Sequence, residues 1–210
     1  MQEDYTHIAV ILDRTGSMQE IRDDTIGGFN SFLADQKALP TRATLTLVQF
    51  DSQDPYEIIH WFKPMEEIPD LDHKTFVPRA STPLLDAIGR GINDLEQSLA
   101  KLTENERPSQ VVMVIITDGH ENASREFKKN QVKKMIKDKI EKHDWNFVFL
   151  SADMESIGDA RDLGIDPDAI LAYKKNKLGT ANMWQALSEG TAAYRQKKKK
   201  KFGFDPEDAQ

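Results

Sequence analysis

The chain has 210 residues, no cysteine and a formal net charge of −7. A chain of this length suits a single domain, and the lack of cysteine excludes disulfides, thiolate nucleophiles and cysteine-bound zinc and is typical of a cytoplasmic protein. The acidic balance argues against nucleic acid as a partner, and no apolar run approaches the ~20 residues of a membrane-spanning helix, so we expect no membrane segment.

The first elements along the chain are a strand, a turn, a helix and a hairpin. The apolar run 7–12 predicts a buried strand, and Asp13-Arg14-Thr15-Gly16-Ser17 supplies a turn directly after it. Apolar side chains from Ile21 to Leu33 recur at helical spacing and predict a helix. Residues 44–50 and 56–62 flank a turn-rich segment, which predicts an antiparallel hairpin.

The middle of the chain combines a long loop with two strong periodic signals. Residues 63–81 contain three prolines and little periodicity, so this loop is a candidate lid or binding edge. Apolar residues at three- and four-residue steps over 84–102 predict a helix that begins at Ser81-Thr82-Pro83. The uninterrupted apolar run 111–116 predicts a central parallel strand, which ends at Thr117-Asp118-Gly119.

The last third of the chain continues to alternate helices and strands. The pattern predicts a lysine-rich helix over 126–143, a strand over 146–150, a short helix near 156–163, a strand over 170–173, and a last helix with Trp184, Leu187, Thr191 and Tyr194 on one face.

This order of elements predicts a doubly wound α/β fold. We expect a mostly parallel central sheet of about six strands, with one antiparallel edge strand and helices on both faces. One domain spans residues 1–196, and the lysine run followed by acidic residues over 197–210 predicts a loosely ordered tail.

Oxygen-bearing side chains follow three separate elements. Asp13, Thr15 and Ser17 follow the first strand, Thr82 stands at the start of the most periodic helix, and Asp118 ends the central strand. In an open α/β sheet the loops at the carboxyl ends of the strands meet in one crevice, so we expect these side chains to converge. Few carboxylates with several neutral hydroxyls suit a hard divalent cation, Mg2+ or Mn2+, that keeps several waters.

The three motifs resemble the metal-ion-dependent adhesion site of von Willebrand factor A domains. Asp13-Arg14-Thr15-Gly16-Ser17 is similar to the Asp-x-Ser-x-Ser motif of that family, and Ser81-Thr82-Pro83-Leu84 and Thr117-Asp118-Gly119 resemble its two later elements. The resemblance covers roughly residues 5–195 and implies the Rossmann-like fold of the family. A threonine replaces the usual serine at position 15, but its hydroxyl offers the same lone pairs.

The resemblance also implies roles for individual residues. Thr15, Ser17 and in some members the residue at the position of Thr82 bind the ion directly, whereas the residues at the positions of Asp13 and Asp118 hold it largely through water. The Asp or Glu carboxylate of a partner protein completes the coordination. The expected function is therefore that of a non-enzymatic, metal-dependent protein-binding adaptor.

Two other functions stay open on the sequence. In a metal-dependent hydrolase or phosphatase, Asp13 would be the nucleophile, but Thr15 stands where the Asp-x-Asp motif of haloacid-dehalogenase-like phosphatases carries its general acid. In an RNA-binding adaptor, the lysine-rich helix over 126–143 and the Lys197–Lys201 run would contact phosphates, although that run lacks interleaved aromatic residues. Each site motif alone also has an ordinary interpretation as a turn or a helix cap.

Overall fold

One sheet forms the centre of the computed structural model, which describes residues 2–205. Its strands are β1 (Gln2–Asp13), β2 (Arg42–Phe50), β3 (Glu57–Pro64), β4 (Pro108–Thr117), β5 (Asn146–Ser151) and β6 (Ile170–Ala172). The order across the sheet is β3-β2-β1-β4-β5-β6, and only the β2–β3 pair is antiparallel. The predicted six-stranded sheet with one antiparallel edge strand is confirmed.

Helices cover the two faces of this sheet. They are α1 (Arg22–Lys37), α2 (Leu84–Lys101), α3 (Lys129–His143), α4 (Met154–Asp162) and α5 (Lys177–Arg195), with short 3-10 helices at Gly16–Ile21, Met65–Glu67 and Pro167–Ala169. α1 packs against α5, and α2 packs against α3. The crossovers β1–α1–β2 and β4–α3–β5 run in opposite directions along the sheet, so their right-handed sense places α1 and α3 on opposite faces. Within residues 2–205 no helix is both long and apolar enough to cross a membrane.

The core lies where β1 and β4 run side by side through the middle of the sheet. Val112, Val114 and Ile116 are fully buried, and so are Met113 and Ile115 on the other face. A strand with both faces covered reads as a continuous apolar run because neither set of alternating side chains meets water. Each such side chain contributes roughly 1.5–3 kcal/mol through burial, so the site described below lies at the end of the most deeply buried strands.

The loop after β3 is held against the rest of the domain. Its apolar side chains Met65, Ile68, Leu71 and Phe76 are buried. The Asn30 side chain of α1 donates to the carbonyl of Leu71 and accepts from its amide, at 2.9 and 2.7 Å. Arg22 Nε donates to the carbonyl of Phe76 at 3.0 Å. These contacts anchor the segment, and its role as a lid or binding edge stays a prediction.

Part of the segment predicted to be a loose tail packs against the domain. Phe202 is only 3% exposed, and its amide donates to Asn146 Oδ1 at the start of β5, at 3.0 Å. The amide of Phe204 donates to the carbonyl of Asp168 at 2.8 Å. The lysine run is therefore followed by an aromatic anchor up to residue 205, and residues 206–210 lie outside the described part of the chain.

Candidate metal site

The candidate site lies at the edge of the sheet where the parallel strands end. β1 ends at Asp13 and β4 at Thr117, and the register pairs Leu12 with Ile116, so Asp13 and Asp118 reach the same edge side by side. The side chains of both aspartates are 0% exposed. Two carboxylates that are both removed from water are costly unless positive charge or hydrogen bonds compensate them.

Hydrogen bonds connect the first motif to the end of β4. The amide of Thr15 donates to Asp13 Oδ1 at 2.6 Å, and Ser17 Oγ donates to Asp118 Oδ1 at 2.5 Å. The hydroxyls of Thr15 and Ser17 lie 3.1 Å apart. The chain turns here because the Met18 amide donates to the Thr15 carbonyl at 3.0 Å, which begins the 3-10 helix.

Thr82 completes the group from the third loop. Its hydroxyl and that of Ser17 flank Gly119, because a Cβ atom added at this glycine would lie 3.7 Å from each of the two oxygens. The Thr82 amide donates to Asn122 Oδ1 at 2.9 Å, and the Asn122 amide donates back to the Thr82 carbonyl at 3.1 Å. The structure thus brings all five predicted residues to one place, and a side chain at position 119 would contact both hydroxyls.

The electrostatics of the site show a shortage of positive charge around Asp13. Burial raises the pKa of Asp13 to about 7, hydrogen bonds from Thr117 and Thr15 oppose this rise, and the nearby charge of Asp118 adds to it. A divalent cation would relieve both the burial and the repulsion. The donor set fits a hard cation, since it consists of oxygens with two carboxylates among neutral hydroxyls.

A metal site can also be built from carboxylate, imidazole or thiolate side chains alone. Residues 2–205 contain no group of three or more His, Cys, Asp or Glu side chains placed to hold a metal ion. The hydroxyls of Thr15, Ser17 and Thr82 are therefore essential to the candidate site, and two carboxylates by themselves would make it incomplete.

Lys175 joins the site, and the sequence interpretation did not identify it. It belongs to the segment between β6 and α5, and its Nζ lies 3.0 Å from Asp118 Oδ2 and 3.1 Å from Glu20 Oε2. Burial would lower the pKa of Lys175, but the hydrogen bonds and charges of Asp118 and Glu20 raise it. The ammonium group is therefore charged. The signal that points to Lys175 is its position two residues after the strand predicted over 170–173.

Two acidic residues near the candidate site accept hydrogen bonds from backbone amides and so are not available as cation ligands. Glu121 accepts from the amides of Leu85, Ala123 and Ser124, and Asp86 accepts from the amides of Arg125, Glu126 and Phe127. Together they fasten the segment after β4 to the start of α2. Asp86 and Glu121 thus fix the position of Thr82 relative to Gly119.

A third buried aspartate, at the same sheet edge, has a different environment. Asp51 follows β2 and is 0% exposed, and its Oδ2 lies 3.0 Å from the Nε atoms of both Arg14 and Arg79. Burial would raise the pKa of Asp51, but the amides of Asp54 and Gln53 and the two guanidinium groups lower it below its ordinary value. Arg14, the second residue of the first motif, is thus engaged away from the cation site.

Comparison with known proteins gives the fold. No family model matches this sequence, and no curated protein matches it. Solved structures with the same architecture include the pilus adhesin SpaC of Lactobacillus rhamnosus GG, with a TM-score of 0.64 and 12% identity over 92% of this chain and 31% of that one. A von Willebrand factor type A protein of Catenulispora acidiphila gives 0.57 and 10%, over 90% of this chain and 43% of that one.

A third structure is the proximal thread matrix protein 1 of the mussel byssus with a zinc-occupied MIDAS motif. Its TM-score is 0.58 at 11% identity, over 90% of this chain and 46% of that one. The chain therefore spans less than half the length of each of these proteins. The predicted von Willebrand factor A fold is confirmed.

Proposed function

We propose that this chain is a non-enzymatic, cytoplasmic protein-binding adaptor that holds one divalent cation, Mg2+ or Mn2+, with Asp13, Thr15, Ser17, Thr82 and Asp118. The observation that carries the proposal is the convergence of three hydroxyls and two buried aspartates beside Gly119. The zinc-occupied MIDAS of the byssus protein, which has the same fold, supports it.

The side chains of the site would divide the work. Thr117 Oγ1 donates to Asp13 Oδ2 at 2.5 Å and the Thr15 amide to its Oδ1, so the carboxylate is held in one orientation. The three hydroxyls carry no charge, so they would leave much of the charge of a bound ion uncompensated. A bound ion would supply an attractive position for a carboxylate from a partner's Asp or Glu. This is a binding mechanism without bond breaking.

The surface around the site supports a protein as the partner. In the described part of the chain, the large apolar side chains with high exposure are Ile58, Val77, Met154 and Leu178. Ile58 pairs with Val48 near the end of β2, while Met154 and Leu178 lie in the first turns of α4 and α5. Ile58, Met154 and Leu178 thus lie towards the sheet edge that carries the site. Apolar side chains beside a charged centre are what a protein interface uses.

The contacts of α3 weaken the RNA-binding alternative. Lys129 pairs with Asp159 and Asp162 at 2.7 and 2.8 Å, and Lys139 is buried against Glu96. Lys142 pairs with Asp138 at 2.5 Å. Acidic groups of the chain thus offset much of the helix's positive charge, which reduces its attraction for a phosphate backbone.

The hydrolase alternative gains no support at the first motif. The hydroxyl of Thr15, which occupies the position of a general acid in the Asp-x-Asp pattern, interacts with Ser17 Oγ. An aliphatic hydroxyl cannot deliver a proton to a leaving group at neutral pH as a carboxylic acid can. We therefore favour binding over catalysis.

Thermal melts with a Mn2+ series test the metal site. We expect a saturable rise in melting temperature for the wild type, which corresponds to ~2.7 kcal/mol at 100 times the dissociation constant. Thr82→Val keeps the shape and the backbone hydrogen bonds but loses the hydroxyl, so its rise should be smaller. Ser81→Ala removes an exposed hydroxyl one residue away and is the matched control. An equal rise in all three proteins, or no rise in the wild type, would contradict the proposal.

A further inference from the structure

Lys175 is the one cation found in contact with the candidate site among residues 2–205. Its Nζ lies 3.0 Å from Asp118 Oδ2, while Asp118 Oδ1 accepts from Ser17. The Asp118 side chain is 0% exposed and that of Lys175 is 26% exposed. A carboxylate in such a place needs a counter-charge, and Lys175 provides it from the protein itself.

The lysine also has a second acceptor further out. Glu20 Oε2 lies 3.1 Å from the same Nζ, and the Glu20 side chain is 76% exposed. The four-carbon stem of lysine is flexible and its ammonium is strongly hydrated. Lys175 can therefore leave Asp118 and stay paired with Glu20 at the protein surface, without having to find a new partner.

We propose that Lys175 is a tethered counter-cation that competes with the divalent ion for Asp118 and thereby weakens the affinity of the site for metal. The proposal rests on the metal site proposed above. Two positive charges near one carboxylate repel each other, so the ion either displaces the ammonium towards Glu20 or binds against its field. Lys175 is thus a positioning residue that acts on metal binding through Asp118.

The competition has two opposite consequences for the protein with and without metal. Without metal, Lys175 compensates Asp118 and stabilises the folded chain. With metal, the same ammonium opposes the ion. A variant that removes the charge should therefore be less stable without metal and should bind metal more tightly, a pair of effects that a purely structural lysine would not produce.

The test compares Lys175→Met with Lys174→Met. Both variants remove one positive charge from the same segment, but Lys174 is exposed. We would measure Mn2+ dissociation constants by calorimetry and melting temperatures in chelator and in saturating Mn2+. We expect Lys175→Met to bind Mn2+ about tenfold more tightly than Lys174→Met. It should melt at a lower temperature in chelator, and this deficit should disappear or reverse in saturating Mn2+. Lys175→Arg keeps the charge and should behave like the wild type.

The outcomes separate this inference from the metal site itself. Mn2+ binding by the wild type with equal affinities in the two methionine variants, or weaker binding by Lys175→Met, overturns the counter-cation and leaves the metal site standing. Tighter Mn2+ binding by Lys175→Met than by Lys174→Met, with a melting deficit in chelator that saturating Mn2+ removes, supports the counter-cation. If all variants fold and none binds Mn2+, both the metal site and the counter-cation are wrong.

Discussion

Two buried aspartates at neighbouring strand ends have opposite surroundings. Asp13 ends β1 and Asp51 follows β2, and the register pairs Asp13 with Phe50. Asp51 meets two guanidinium groups and two backbone amides, and its pKa is lowered. Asp13 meets one amide, one hydroxyl and the negative charge of Asp118, and its pKa is raised to about 7.

The difference distinguishes a carboxylate that supports the fold from one that, under the function proposed above, would be compensated by a bound cation. Arg14 follows Asp13 directly in the chain, yet it pairs with Asp51 at 2.8 Å. Side chains of consecutive residues in an extended chain point in opposite directions, so the arginine next to Asp13 cannot compensate it. A buried group that its own protein leaves short of charge is a mark of a functional site.

Removal of the charge at Asp51 should have the largest effect on stability. Asp51→Asn would remove the buried one of the two carboxylates that pair with Arg14, the other being the partly exposed Glu57, and we expect a loss of about 3 kcal/mol in the free energy of unfolding. Urea denaturation in chelator measures it. Asp70→Asn, at an exposed position, is the control and should change stability by less than about 0.5 kcal/mol. A loss below about 1 kcal/mol for Asp51→Asn would show that this aspartate does not support the fold as described.

His7, in the middle of β1, tests whether burial shifts the pKa of a group that is charged when protonated. His7 stacks on Phe62 with ring centroids 3.7 Å apart, and burial lowers its pKa to about 3. Its contribution to stability is complete above the unfolded-state pKa of about 6.5 and is lost as the pH falls towards 3, about 2 kcal/mol of it by pH 5.

The variant His7→Phe should lack this acid-dependent loss. Unfolding free energies of the wild type and the variant, measured from pH 8 to pH 5, would give the difference in slope. His143→Gln changes an exposed histidine and should keep the wild-type slope. Parallel pH profiles for wild type and His7→Phe would mean that His7 takes up a proton as readily in the folded protein as in the unfolded chain.

Neutralisation of Asp13 should have the smallest effect on the metal-free protein. Asp13→Asn keeps the shape and removes the repulsion from Asp118, so at pH 8 in chelator we expect stability to be unchanged or raised by about 1 kcal/mol. The same variant should lose the stabilisation by Mn2+. Denaturation with and without Mn2+ measures both effects. A metal-free loss as large as that of Asp51→Asn would erase the distinction between the two aspartates.

The fold was predictable because its signals are local. The apolar run of β4 and the helical spacing of α2 each identify an element without knowledge of its neighbours. Once the elements alternate as strand and helix, the carboxyl ends of the strands must share one edge. Sequence alone therefore predicts, through this topology, that Thr82 and Asp118 lie next to Ser17.

The features that the sequence did not reveal depend on contacts that no local pattern encodes. Lys175 reaches Asp118 from the segment between β6 and α5, which lies far from Asp118 in the sequence. Asp51 has the sequence context of an ordinary turn, and only the structure shows Arg14 and Arg79 around it. The five lysines before Phe202 predict a solvated tail, and nothing in the sequence pattern shows that the two aromatic residues after them pack against the domain.

The packing of Phe202 beside Asn146 also places the end of the described chain at one edge of the sheet. Asn146 begins β5 and Gln2 begins β1, so both ends of the described chain emerge at the edge of the sheet opposite to the candidate metal site. A tether, a fused domain or a solid surface attached at either end would therefore face away from a bound partner. With the metal site proposed above, a bound partner and an attached support would lie at opposite edges of the sheet.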